Sequence, residues 1–198
     1  MSSQLQQPSG YQPYRGMTHA ETGMLVLLSS FGMLFGGLLL AYGLMRARAP
    51  VWPPAGADDI SPWIAGFSTF VAFVSSYRVE KGVSAFLARD LKGFRIAWLQ
   101  SLGLGLLFLM SQSFVLWAFF GQGQKLQSNS FSGMVYTLII AHGLHVLLGL
   151  GFLLKALVAG LKDLRSVGPR TQTPKLSSWL WHFLGLIWTL MFLILVWV

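Results

Sequence analysis

Five runs of apolar residues, parted by short polar or charged segments, organise the 198-residue chain. They cover residues 23–45, 60–77, 97–119, 131–154 and 176–198 in approximate bounds. The fourth, at about 1.5 Å per helical residue, spans roughly 36 Å, enough to cross a hydrocarbon core with some tilt. The second is the shortest. The pattern predicts an all-α integral membrane protein, a bundle of five transmembrane helices. Residues 1–22 read as a polar, mostly extended tail, and 23–198 as a single membrane domain.

Local signals refine the ends. Thr18 and Glu21 have the spacing of a capping box, so the first helix should begin near Thr18. Gly32, Gly36 and Gly43 share one side of it and suit close lateral packing. The run ends at Arg46 and Arg48, and Val51-Trp52-Pro53-Pro54 then reads as a stiff loop with its indole at interface depth. Pro62 suits a first helical turn. In 78–95, Val79, Val83, Phe86, Leu87, Leu91 and Phe94 recur at helical spacing among charges. That stretch lies in the headgroup plane, continues the spans as a helical hairpin, or is a solvated charged turn; the charges favour the turn. Gln100, Gln112 and several serines are expected to hydrogen-bond between helices. The fourth and fifth runs are joined by a basic loop, 155–175, broken by Gly168, Pro169 and Pro174. Trp179, Trp181, Trp188 and Trp197 of the last run suit membrane interfaces.

Composition sharpens this picture. With 54% hydrophobic and 10% charged residues, the chain lacks the charge that a soluble domain's surface needs. It has no cysteine, which excludes disulfides, iron–sulfur clusters and thiolate metal sites. The net charge of +8 does not mark a nucleic-acid binder, because the bases sit between apolar runs. Of the 14 Lys and Arg, Arg46, Arg48 and Lys125 lie on one side of the predicted membrane and all others on the opposite side. The positive-inside rule then puts the N-terminus in the cytoplasm and the C-terminus outside.

Candidate chemistry centres on the fourth run. His142 and His145 are three residues apart, hence neighbours on one helix face. By helical rise they lie roughly 16 and 21 Å from the outer end of their helix, and His182 lies roughly 9 Å from the inner end of the fifth. His145 and His182 therefore share a level. Such a pair can ligate a haem axially, or each imidazole can bond to backbone and hydroxyls. No carboxylate lies within a predicted span, so a relay of acids is absent. The glycine-rich piece 103–105 sits in an apolar helix and is no phosphate loop.

The run His142-Gly143-Leu144-His145-Val146-Leu147-Leu148-Gly149 resembles the hallmark of subunit III of haem–copper oxidases. Trp181-His182-Phe183 with Ile187-Trp188 is similar to the family's last helix. Leu34-Phe35, Tyr42, Arg46 and Trp52-Pro53-Pro54 look like the first helix and loop of its five-helix bacterial form, and Ser75-Ser76-Tyr77-Arg78 like the second helix. The resemblance implies a non-catalytic subunit of a cytochrome c oxidase in the aerobic respiratory chain, in the bacterial cytoplasmic (inner) membrane. It would dock on catalytic subunit I and other oxidase subunits, hold phospholipid, and support proton uptake and oxygen access. It implies no metal or cofactor in this chain, the haems and copper belonging to partner subunits. His142, His145 and His182 become structural polar contacts, and Arg46, Trp52 and Arg78 become candidates for lipid headgroups. The alternatives are the same subunit of a quinol oxidase or nitric oxide reductase, or, in another class, a small bis-histidine haem b protein.

The chain also departs from the family's pattern. Where the family usually has a glutamate after a serine in this first helix, Ser30 is followed by Phe31. That acid is expected to approach the histidines of the fourth span. The polar slot after Trp181-His182-Phe183 is likewise filled by Leu184 and Gly185.

Overall fold

A computed structural model describes residues 17–52, 62–121, 123, 129–166 and 171–197. The expected tail up to residue 16, the Pro53-Pro54 part of the loop, Lys125 and the Gly168-Pro169 break lie outside the described residues. Among the described residues five helices run in chain order: α1 His19–Arg48, α2 Pro62–Leu87, α3 Leu91–Gly121, α4 Ser130–Leu164 and α5 Thr173–Trp197. The protein is an all-helical membrane bundle. α1, α3, α4 and α5 are each long and apolar enough to cross a membrane. α2 has the length, 26 residues, but carries more polar side chains along it.

The start of α1 is set by the capping box. Thr18 accepts from the Glu21 N–H, and the Glu21 side chain takes the Thr18 N–H in return. α2, α3, α4 and α5 pack in a ring, each against the next and α5 back against α2. α1 lies outside this ring against α4 and α5, and buries only Met24, Phe35 and Tyr42.

Tryptophans and serines stitch the ring. The buried Trp98 indole donates to the Leu153 carbonyl at 2.7 Å, tying α3 to α4. Trp181 donates to Ser75 Oγ at 3.1 Å and Trp188 to Thr69 Oγ1 at 3.0 Å, tying α5 to α2. Between α2 and α3, Ser75 donates to the Ser101 carbonyl and Ser68 pairs with Ser111 at 2.8 Å. In a bilayer each of these groups lacks bulk water as an alternative partner, so the bonds also set which helix faces meet. Two of the indoles assigned to interfaces are therefore interior: Trp181 and Trp188 are 7% and 3% exposed. Trp181 fits because Gly105 and Gly149 leave a slot; a Cβ on Gly105 would stand 2.7 Å from its ring.

The charged stretch 78–95 is helical, not a solvated turn. α2 continues to Leu87, the chain reverses over 88–90, and α3 begins at Leu91. Arg89 takes a left-handed φ of 58°, which ends α2, and Asp90 Oδ1 accepts the Gly93 N–H to cap α3. The reason is packing: Phe86, Phe94 and Trp98 form a buried aromatic stack, with ring centroids 5.6 and 5.0 Å apart. Gly160 of α4 lets Phe94 approach; a Cβ there would meet its ring at 2.5 Å. Helices α2 to α4 thus extend roughly 15 Å beyond the level of Arg78 and Lys155, at about 1.5 Å per residue.

Candidate functional site

α4 brings the histidine motif to the seam between α1 and the ring. The 3.6-residue period points His142 inward and leaves His145 half-buried on the α1 side. Phe35 of α1 serves both, its ring centroid 5.8 Å from His142 and 5.2 Å from His145. The two imidazoles are therefore neighbours on one face, as their spacing implies.

Their surroundings differ. His142 is 1% exposed and lies among Phe35, Phe108 and Trp188, the last two with centroids 5.8 and 5.6 Å away. Its Nδ1 has no hydrogen-bond partner among the described residues. His145 Nδ1 meets the carbonyl of Ala141, one turn back, at 2.6 Å. The ring of Phe31 closes the other side of His145 edge-on, with centroids 4.2 Å apart. The position where a glutamate was expected thus does reach the histidine, and a phenyl ring stands there. The seam is aromatic where an acid–imidazole pair was the family expectation.

His182 belongs to a separate place. On α5, its Nε2 lies 3.4 Å from Glu80 Oε2 of α2, with both side chains partly exposed. Glu80 belongs to the stretch whose charges favour a turn; it stands on α2, and its pairing with a residue 102 positions away has no local signal. Because His145 turns to α1 and His182 to α2, the donors do not converge on one gap for a porphyrin. Among the described residues no group of three or more His, Asp or Glu side chains could hold a metal.

The candidate headgroup residues occupy opposite ends. Arg46 lies in the last turn of α1. Trp52 packs edge-on to Tyr42 and Phe131 and gives its N–H to the Tyr42 hydroxyl at 3.3 Å, so its polar atom is engaged within the chain. Arg78 is half-buried on α2 at the other end. Near that end a groove of about 330 Å³ opens between α1, α4 and α5, lined by Met24, Leu27, Phe152 and Leu176 with Lys155 and Thr173. At the same end the start of α1 meets the start of α5, where Lys175 pairs with Glu21 at 2.9 Å. Arg89 of the α2–α3 turn bonds to the Ser166 carbonyl after α4.

A ring of four helices with a fifth on its flank, and an imidazole pair in the seam, define a multi-pass helical membrane protein with an aromatic-caged histidine site. No protein-family model matches the chain. It is 28% identical over 173 residues to the cytochrome c oxidase subunit 3 of Thermostichus vulcanus, covering 87% of this chain and 84% of that one. The corresponding protein of a Synechocystis strain is 27% identical over 176 residues, with 87% and 72% covered. A probable cytochrome c oxidase subunit 3 of Mycobacterium leprae is 28% identical over 177 residues, with 88% and 86% covered. The chain is a relative of these proteins, and the matches support the subunit III family.

Proposed function

We propose that the chain is the non-catalytic subunit III of a haem–copper terminal oxidase, the cytochrome c oxidase of an aerobic respiratory chain. The carrying observation is its relation, over some 87% of its length, to proteins named cytochrome c oxidase subunit 3. In this reading it sits in a bacterial cytoplasmic membrane, with its N-terminus and basic end on the cytoplasmic face. Residues 23–198 form one membrane domain docked on the catalytic subunit I. The haems and copper belong to partner subunits, and the chain supports proton uptake and oxygen access around them.

Lipid fits the same reading. Arg46 and Arg78 stand near the ends of their spans, where phosphates lie, and Trp52 presents its ring at the outer level. The groove between α1, α4 and α5 offers an apolar floor for an acyl chain and the Lys155 ammonium for a headgroup. His142, His145 and His182 are structural contacts here: His145 with a backbone carbonyl, His182 with Glu80, and His142 within an aromatic cage.

Purification of the intact assembly tests this. Subunit identification should return a haem–copper catalytic subunit beside this chain, and the chain separated from it should show no Soret band. A haem retained by the isolated chain, or its recovery without any oxidase core, would overturn the assignment.

A further inference from the structure

At the middle of the four-helix ring lies a cavity of about 30 Å³, lined among others by Ser75, Ser76, Phe108, His142, Gly185 and Trp188. Most polar groups around it are spoken for. Ser75 accepts from Trp181 and donates to the Ser101 carbonyl, and Trp188 donates to Thr69. Two polar atoms carried by side chains that line it have no partner among the described residues. One is the Nδ1 of His142, in a side chain 1% exposed. The other is the Ser76 hydroxyl, turned toward α5 so that a Cβ on Gly185 would stand 3.4 Å from its oxygen. The imidazole cannot swing out to find a partner, because Phe35, Phe108 and Trp188 enclose it.

We propose that this cavity is a water site, with His142 and Ser76 as its ligands. A buried polar group left without a partner in a bilayer interior is costly, and water is the smallest molecule that can donate to an imidazole nitrogen and pair with a hydroxyl at once. The space suffices for about two waters, at roughly 10–15 Å³ of probe-occupied volume each. Apart from Ser75, whose hydroxyl is engaged, the rest of the wall is apolar or aromatic. The alternative occupant is therefore a small apolar species in a dry cavity, which is what such walls hold when no polar group faces them. The proposal concerns the ring's interior and does not depend on the oxidase assignment.

Water-edited solid-state NMR on the full chain in lipid bilayers, with ¹⁵N-labelled histidine, tests this directly. Polarisation from water should reach the His142 ring quickly although the ring is buried, the signal being assigned by its loss in His142→Phe. Ser76→Ala should slow that transfer severalfold, and Gly185→Val, which fills the cavity, should abolish it while the backbone spectrum stays folded. Absence of transfer in the wild type overturns the proposal, and so does an unchanged rate in folded Ser76→Ala. Xenon shifting the signals of the cavity wall in wild type would show a dry cavity and also overturn it. The wild-type measurements stand even where a variant fails to fold.

Discussion

The side chains that best explain this molecule are those with an unusual neighbour. Phe31 is one, because its ring lies 4.2 Å, centroid to centroid, from an imidazole in a position where the family resemblance implies a carboxylate. Phe31→Glu should therefore be tolerated only in the presence of His145. A double-mutant cycle with His145→Leu, read as unfolding midpoints in detergent, should give a coupling on the order of 1–3 kcal/mol, as expected for side chains in contact. Zero coupling would mean that the two do not face each other in the membrane. Gln112 is the opposite case. It is 4% exposed, and neither amide atom has a partner among the described residues. Removing such a group in favour of a similar apolar volume recovers a desolvation cost of about 1–3 kcal/mol, so Gln112→Leu should raise the unfolding midpoint. A drop would reveal a partner outside this chain's described atoms. From sequence Gln112 reads as an interhelical hydrogen-bonder. Among the described residues no facing helix supplies that bond, and the residue type reveals the need for a partner but not where one stands.

At the scale of elements, what was legible followed from short-range rules. The Thr18–Glu21 box and the positions of the apolar runs depend on residues within a turn of one another, and α1 starts where they say. The character of 78–95 was not legible, because its charges and its apolar positions give conflicting signals. The conflict is resolved only by Gly160 of α4, far along the chain, which leaves room for the Phe94 ring. The indoles of Trp181 and Trp188 were misplaced for the same reason: a membrane tryptophan suits an interface until a helix elsewhere offers it a slot and an acceptor. The slot is testable on one helix. A Cβ on Gly149 would meet Leu184 at 2.7 Å and the Trp181 ring at 3.2 Å, whereas one on Gly151 would meet nothing within 4 Å. Gly149→Ala should cost roughly 1–3 kcal/mol through overpacking. Gly151→Ala should be neutral or gain up to about 1 kcal/mol from helix propensity. Equal effects at both positions would contradict the close packing of α4 on α5.

At the scale of the whole molecule, the chain's ends are sorted by charge and tied by specific bonds. The start of α1, the α2–α3 turn and the α4–α5 connection share one end, held by the Glu21–Lys175 pair and by Arg89 on the Ser166 carbonyl. Which side of the membrane this end occupies is a matter of biosynthesis rather than of packing, and the distribution of Lys and Arg is the only part of the sequence that addresses it. The absence of cysteine makes the question clean to ask, since any single thiol introduced is the only one present. Ser166→Cys lies at the basic end and Ala49→Cys just after α1 at the other. In intact cells a membrane-impermeant maleimide should label Ala49→Cys and spare Ser166→Cys, and inside-out vesicles should reverse the pattern. Labelling of Ser166→Cys in intact cells would invert the topology. It would also move His182 and Glu80, both nearer the basic end than His142 is, to the outer half of the bilayer. Arg78 and the groove beside Lys155 would then meet outer-leaflet headgroups, and any link between this end and cytoplasmic proton uptake would lose its geometric basis.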